Sequence, residues 1–304
     1  MSEVTHLLTN FQNRRIKIKT LTSWPRGRAV LYSHCARIFC EATMRHLAVC
    51  VFITVVSAAT LTGNRLSRIE FGGTTIAIEQ EFTDAEEGSV LWDASRSLLA
   101  HVTYLREQAG DADVSEEAIA GKRILEIGSG TGAVGLALAR LGAKSVVMTD
   151  KASQLPLMRR NLEHNQPDCC ADRCVLCNDI VAPVSCAELC WSPSWQAECD
   201  PSLAAADAFD TIICADCVYP DRPSGLATVL LDLLALNPHA SLLLAFEQRP
   251  PPAGAPAGTD HTRDFFAEMR AGCEVERVPD RQLDPRWVCD EISLWRMCAR
   301  DESS

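Results

Sequence analysis

From Glu126 to Asp150 the chain reads EIGSGTGAVGLALARLGAKSVVMTD. Three glycines at alternate positions, Gly128, Gly130 and Gly132, follow the apolar run RILEI and lead straight into a helical pattern. Backbone without Cβ atoms turns sharply and lets a ligand come close. Asp150 closes the next apolar run, twenty residues after Gly130, where a carboxylate accepts hydrogen bonds from a ribose. This is nucleotide-binding chemistry. Gly130 to Gly135 also matches the dinucleotide fingerprint G-x-G-x-x-G, a weak signal alone. Two features speak against a pyrophosphate: the negative charge of Glu126 just before the turn, and the absence of Lys or Arg between Glu126 and Leu138. A carboxylate there favours a cation, an ammonium or a sulfonium. Asn178, closing the run RCVLCN, has the donors and acceptor for an adenine edge. Ammonium, sulfonium, ribose and adenine together describe S-adenosylmethionine.

A second constellation lies in FDTIICADCVYPD, residues 209–221. A buried strand ends on Asp216, and Tyr219 follows three residues later. Each residue alone has a structural reading, Asp216 as a helix N-cap and Tyr219 as a packed ring. Together, beside a cofactor strand, they form a polar mouth.

The elements that must position these residues are legible as a pattern. IEFGGTTIAIEQ (69–80) reads as a hairpin around Gly72-Gly73. Helical spacing covers 90–105, 133–143, 152–165, 224–236 and 261–272. Strand patterns cover 123–127, 145–150, 173–178, 209–216, 240–249 and 291–299, with a long loop over 181–208 and another over 250–258. Strand alternating with helix predicts a doubly wound, mostly parallel sheet.

The chain has 304 residues, 47% of them hydrophobic, enough for one α/β domain with a full core. A formal net charge of −11 disfavours nucleic acid as a partner and suits a basic protein segment. Fifteen scattered cysteines fit a reducing compartment better than a disulfide framework. Cys174 and Cys177 have metal-ligand spacing but no second matching pair, so no metal is expected. Residues 1–65 stand apart as an extension. Within it, Leu47 to Leu61 is fifteen residues without a charge, short of the ~20 needed to span a bilayer. Its flanks, Met44-Arg45-His46 and Ser57-Ala58-Ala59, fit a signal-peptide core. The readings are a cytoplasmic protein with an appendage, or one targeted or anchored through residues 44–61, which leaves membrane association open.

The stretches VLWDAS, LEIGSGTGAVGLALARLGA, TDKASQLPLMRRNLEHN, ADCVYPD and FEQR, in this order, resemble the seven-β-strand protein-lysine methyltransferases of methyltransferase family 16. Within it they are most similar to the branch of the valosin-containing-protein lysine methyltransferase. The resemblance covers about 66–300 and implies a Rossmann-like, seven-stranded class I S-adenosylmethionine-dependent fold with a short N-terminal β-hairpin. It implies a lysine-bearing protein substrate, with chaperones and ATPases as candidates, and a monomer. It sets Trp92 against the cofactor's methionine end, lines the cofactor with Gly128, Ser129 and Gly130, gives the ribose to Asp150, and borders the cofactor with Ala215. It assigns Asp216 and Tyr219 to the substrate lysine, with Glu247 helping to shape the channel. A lysine ammonium, with an ordinary pKa of about 10.4, has no lone pair for in-line attack. A carboxylate and a phenol guide it in and accept its hydrogen bonds while desolvation releases a proton to water. The family's Trp-Gly pair after the third buried strand is replaced by Asn178-Asp179, with Trp191 or Trp195 as substitutes. Rival readings are a methyltransferase acting on histidine or a small molecule, a dinucleotide oxidoreductase, and a binding protein without catalysis.

Overall fold

The computed structural model describes residues 65–81, 87–109, 119–165, 182–219, 225–250 and 260–300. The extension up to residue 64, the Cys174–Cys177 spacing and Asn178 lie outside the described residues.

Seven strands form one sheet: β3 (Arg123–Ile127), β4 (Ser145–Asp150), β5 (Val184–Glu188), β6 (Thr211–Ala215), β7 (Ser241–Glu247), β8 (Cys273–Arg277) and β9 (Ile292–Ala299). Their order is β5-β4-β3-β6-β7-β9-β8. Strands β3 to β7 pair in parallel, and β9 runs antiparallel to both β7 and β8. The central strands are near-continuous apolar runs because both faces are covered. In β6 every residue is buried.

Alternation along the strands divides the core. Ile124, Ile213, Ala215, Leu243 and Ala245 face helices α1 (Asp93–Ala109), α2 (Ala133–Arg140) and α3 (Leu155–Asn165). Leu125, Ile127, Ile212, Cys214 and Leu244 face α4 (Trp195–Glu198), α5 (Leu226–Leu236) and α6 (His261–Gly272). The result is helices on both faces of a doubly wound sheet, as the pattern predicts. The chain order reverses between β3 and β6, which opens a crevice at their carboxyl ends.

Two strands depart from the sequence reading. The place beside β4 belongs to β5, inside the stretch read as a loop over 181–208, which also contains α4. Its sequence VSCAE is half-exposed and has one neighbour, so it lacks the apolar signature of a buried strand. The other, β8, starts directly after Gly272 as CEVER, again an edge with charges on its outward face. Among the described residues no helix is long and apolar enough to cross a membrane.

The hairpin is present as β1 (Arg65–Phe71) and β2 (Thr74–Gln80), joined by Gly72 and Gly73, both at positive φ. Ile76 and Ile78 of β2 are buried in the core. Two asparagines on α3 hold its backbone. Asn161 accepts from the Glu79 N–H (2.7 Å) and donates to the Glu79 carbonyl (3.0 Å). Asn165 does the same with Ala77, at 2.9 and 2.7 Å. Four residues of helix rise about 6 Å, close to two residues of strand, so the carboxamides replace a neighbouring strand. Asn161 also donates to the Thr131 carbonyl (2.9 Å), tying hairpin and α3 to the glycine loop.

Candidate active site

The glycine loop is built by β3 ending and α2 beginning within six residues. Gly128, Gly130 and Gly132 all have positive φ. A Cβ on Gly128 would sit 2.5 Å from the Cys217 sulfur and 3.0 Å from the Trp191 ring. A Cβ on Gly130 would sit 2.5 Å from the Gly88 carbonyl oxygen. The glycines therefore admit protein as well as any ligand: Gly130 makes room for the segment that leads into Trp92. The Gly130 N–H donates to Asp150 Oδ2 (2.8 Å), and the Lys151 N–H to Oδ1 (2.8 Å). These bonds fix the half-buried Asp150 carboxylate at the end of β4, with further lone pairs for hydroxyl donors. Ser129 is buried, exchanging bonds with Thr149: its N–H donates to the Thr149 carbonyl (2.9 Å), and its hydroxyl accepts from the Thr149 N–H (3.0 Å).

Glu126 stands elsewhere than the charge argument put it. It shares a face of β3 with Ile124, under α2, and is 2% exposed. The Gly135 N–H donates to its Oε2 (2.9 Å). Burial pushes its pKa up to about 8, with Asp150 adding to the rise and bonds from Ser129 and Gly135 opposing it. Its carboxyl thus secures the underside of the loop. The acids that close strands at the rim are Asp150, Glu188, Asp216 and Glu247.

The region after the third parallel strand is also corrected. β5 ends at Glu188, so the residues leaving it are Leu189, Cys190, Trp191 and Ser192 rather than Asn178-Asp179. Of the two tryptophans offered as substitutes, Trp191 lies beside Gly128 of the glycine loop. Trp195 is fully buried, with Nε1 donating to Asp232 (2.9 Å), and anchors this segment.

Across the crevice, Ala215 is buried at the end of β6 and Tyr219 is half-buried three residues beyond Asp216. Asp216 has φ +60°, a conformation rare outside glycine. Its N–H donates to the Ala245 carbonyl (2.7 Å), and its Oδ1 accepts from the Glu247 N–H (3.2 Å). Sequence reasoning missed Arg249, which binds it at two points: Nη1 to Oδ1 (2.9 Å) and Nη2 to Oδ2 (2.5 Å). Arg249 Nη2 also reaches Glu247 Oε2 (3.2 Å), and its guanidinium lies 5.2 Å from the centre of the Trp92 ring. A cation two residues beyond Glu247 in FEQR was the available signal. Cys217 was missed too. It is buried against the Ile127 carbonyl (3.4 Å), and a bond with Cys214, together with burial, holds its thiol well above the ordinary range.

The crevice therefore joins a glycine loop, a ribose-type acid, two tryptophans and an acidic mouth that already holds a guanidinium. Among solved structures, a TehB-like S-adenosylmethionine-dependent methyltransferase from Corynebacterium glutamicum aligns with a TM-score of 0.42 and 18% identity, over 70% of this chain and 90% of that one. Protein-lysine N-methyltransferase EFM6 of Saccharomyces cerevisiae is 30% identical over 246 residues, 75% of this chain and 89% of the relative. Protein N-lysine methyltransferase METTL21A of Mus musculus is 27% identical over 154 residues, and the chain spans 58% of its length. The profile described as lysine methyltransferase matches residues 70–271, more than half of the chain, and the protein belongs to that family.

Proposed function

We propose that this crevice is where the chain, an S-adenosylmethionine-dependent protein-lysine N-methyltransferase, brings a substrate lysine to its methyl donor. The observation that carries the reading is the placing of two carboxylates, Asp216 and Glu247, and the Trp92 ring around one cation, Arg249, at the strand ends where the sheet order reverses. Carboxylates and an aromatic face are what recognise an alkylammonium.

The residues present fit the cofactor. Asp150 takes the ribose hydroxyls, and the backbone of Gly128, Ser129 and Gly130 lines the loop. Trp191 offers its ring to the adenine, Trp92 lies at the methionine end, and Ala215 closes the floor. The bound cofactor supplies a methyl group on a sulfonium. The protein aligns the lysine nitrogen, and burial of the ammonium beside Tyr219 favours loss of its proton to water. The net charge of −11 suits a substrate lysine in a basic segment. The finer expectations are a chaperone or ATPase as substrate, the valosin-containing-protein branch, and a monomer in the cytoplasm. They follow from the resemblance and the cysteine usage.

Asp216→Ala tests the reading. Methyl transfer to lysine should fall at least about 100-fold, because the mouth loses one of its two carboxylates and Arg249 loses its bidentate partner. Affinity for S-adenosylhomocysteine, measured by calorimetry, should stay within about threefold, since Asp216 makes no bond to the loop. Undiminished transfer removes the acidic mouth from the reaction, and methyl groups mapped to histidine by mass spectrometry replace lysine as the acceptor.

A further inference from the structure

Resting on the reading of Trp92 as the wall at the cofactor's methionine end, we propose that Gln80 of β2 is a positioning residue for cofactor binding: its carboxamide holds the Leu91 N–H and thereby sets the neighbouring Trp92 ring in the crevice.

Trp92 belongs to no strand. It stands between a single 3-10 turn, Glu87–Ser89, and the start of α1 at Asp93, so sheet register does not fix where it arrives. The Arg96 N–H donates to the Trp92 carbonyl (3.3 Å), which ties the residue to the helix that follows it. The segment that precedes it is held by the end of β2. The Glu81 N–H donates to the Ser89 carbonyl (3.0 Å), and the Leu91 N–H donates to Gln80 Oε1 (2.9 Å). Leu91 is buried in the core, where a donor left without its acceptor is costly.

The carboxamide is itself oriented. The Ser67 hydroxyl donates to the Ile78 carbonyl (3.2 Å) and so offers a lone pair, which Gln80 Nε2 meets at 3.2 Å. With Nε2 committed to Ser67, Oε1 faces Leu91. The hairpin that carries this group is no loose arm. Asn161 bonds both backbone polar groups of Glu79, the residue before Gln80, and donates to the Thr131 carbonyl of the glycine loop. From the other side, the Gly88 carbonyl comes so near Gly130 that a Cβ there would sit 2.5 Å from it. Gln80 therefore sets Trp92 relative to the glycine loop, and these are two walls of the cofactor site. The described bonds of Gln80 run to Leu91 and Ser67 rather than to Asp216 or Tyr219, so its effect belongs to cofactor binding.

The experiment uses the full chain as wild type, Gln80→Met, Gln80→Glu, Trp92→Ala and the double variant of Gln80→Met with Trp92→Ala. S-adenosylhomocysteine is titrated by calorimetry, and S-adenosylmethionine is varied in turnover assays on a whole-cell protein extract. Gln80→Met is close in length and has no oxygen for Leu91. It should weaken S-adenosylhomocysteine about 10-fold and raise KM for S-adenosylmethionine by a similar factor, with kcat within about threefold. Gln80→Glu keeps an oxygen for Leu91 in either protonation state and should stay within about threefold of wild type in both. Added to Trp92→Ala, Gln80→Met should cost nothing further, because its effect passes through that ring; a general loss of structure would add to it. Should Gln80→Met fail to fold, Ser67→Ala frees the carboxamide to turn and should weaken binding about threefold, again only while Trp92 is present. Losses that persist in the Trp92→Ala background, or Gln80→Met binding as tightly as wild type, overturn the proposal. Equal losses in Gln80→Met and Gln80→Glu overturn it too, by making packing rather than the acceptor the cause. Trp92→Ala binding as tightly as wild type removes that ring from the cofactor and this proposal with it, while the acidic mouth stands. A wild type that takes up no S-adenosylhomocysteine sinks the functional reading itself, and the proposal with it.

Discussion

Asp210 and Asp216 flank the same strand, β6, and an arginine holds each by two side-chain bonds. At the amino end, Arg123 Nη2 and Nε bond the two oxygens of Asp210 at 2.7 and 3.1 Å, and the Arg123 N–H adds a third bond (2.7 Å). At the carboxyl end, Arg249 does the same for Asp216. The chemistry matches but the settings do not. Asp210 is 31% exposed and faces one arginine, which clips the starts of β3 and β6 together. Asp216 is 3% exposed, has a left-handed backbone, and shares its arginine with a second carboxylate. An ion pair alone marks neither region as functional. Burial and strained backbone together separate the carboxyl end, because each costs stability unless function retains it.

The largest expected effect falls there. Arg249→Met leaves the Asp216 carboxylate buried without its partner and should lower unfolding free energy by about 3–5 kcal/mol. Urea unfolding with and without S-adenosylhomocysteine measures it. A loss under about 1 kcal/mol would make the buried pair energetically equal to the exposed one and dissolve the distinction.

The contrast was half visible in the residues alone. The central strands were legible because burial on both faces writes an unbroken apolar run, as in Ile212 to Ala215. The loop was legible because Gly128 and Gly130 have positive φ, which few other residues tolerate. Asp150 and Asp216 followed as the polar residues closing such strands. β5 and β8 were not legible, since an edge strand with one wet side can be VSCAE or CEVER and still pair. Glu126 was misplaced although the signal existed: its two-residue offset from Ile124 puts it on the face under α2. Arg249 was overlooked because a pairing between residues 33 apart is set by strand adjacency, which β6 and β7 reveal only in three dimensions.

Glu126 extends the comparison to a buried carboxyl served by the Gly135 N–H and Ser129. Its folded pKa of about 8 lies well above its unfolded one. Between those two values the folded state binds the extra proton, so stability falls as pH rises through the window. Above the folded value the cost is complete. Glu126→Gln keeps an acceptor for Gly135 and removes the titration. The variant should show a flatter stability profile from about pH 5 to about pH 8 and be more stable by on the order of 3 kcal/mol at the alkaline end. A profile parallel to wild type would mean that the carboxyl ionises in place, and would return Glu126 to the role of a charged group facing a cation.

The smallest effect belongs to Asp210. The Arg123 hydrogen bond, with backbone and charge contributions from the same residue, holds its carboxyl below the usual range. A depressed folded pKa stabilises the fold above the unfolded value, and the contribution is lost as pH falls through the folded one. Solvent reaches about a third of the side chain, so screening reduces the gain to under about 1 kcal/mol. Asp210→Asn should therefore cost less than that at neutral pH, still less in high salt, and nothing once acid has protonated the wild-type group. Its methyl transfer should match wild type, because the pair lies at the opposite end of β6 from Asp216. If Asp210→Asn instead impairs transfer while the fold stays intact, the two ends are coupled through the strand. Exposure and backbone strain would then no longer separate the staple from the site.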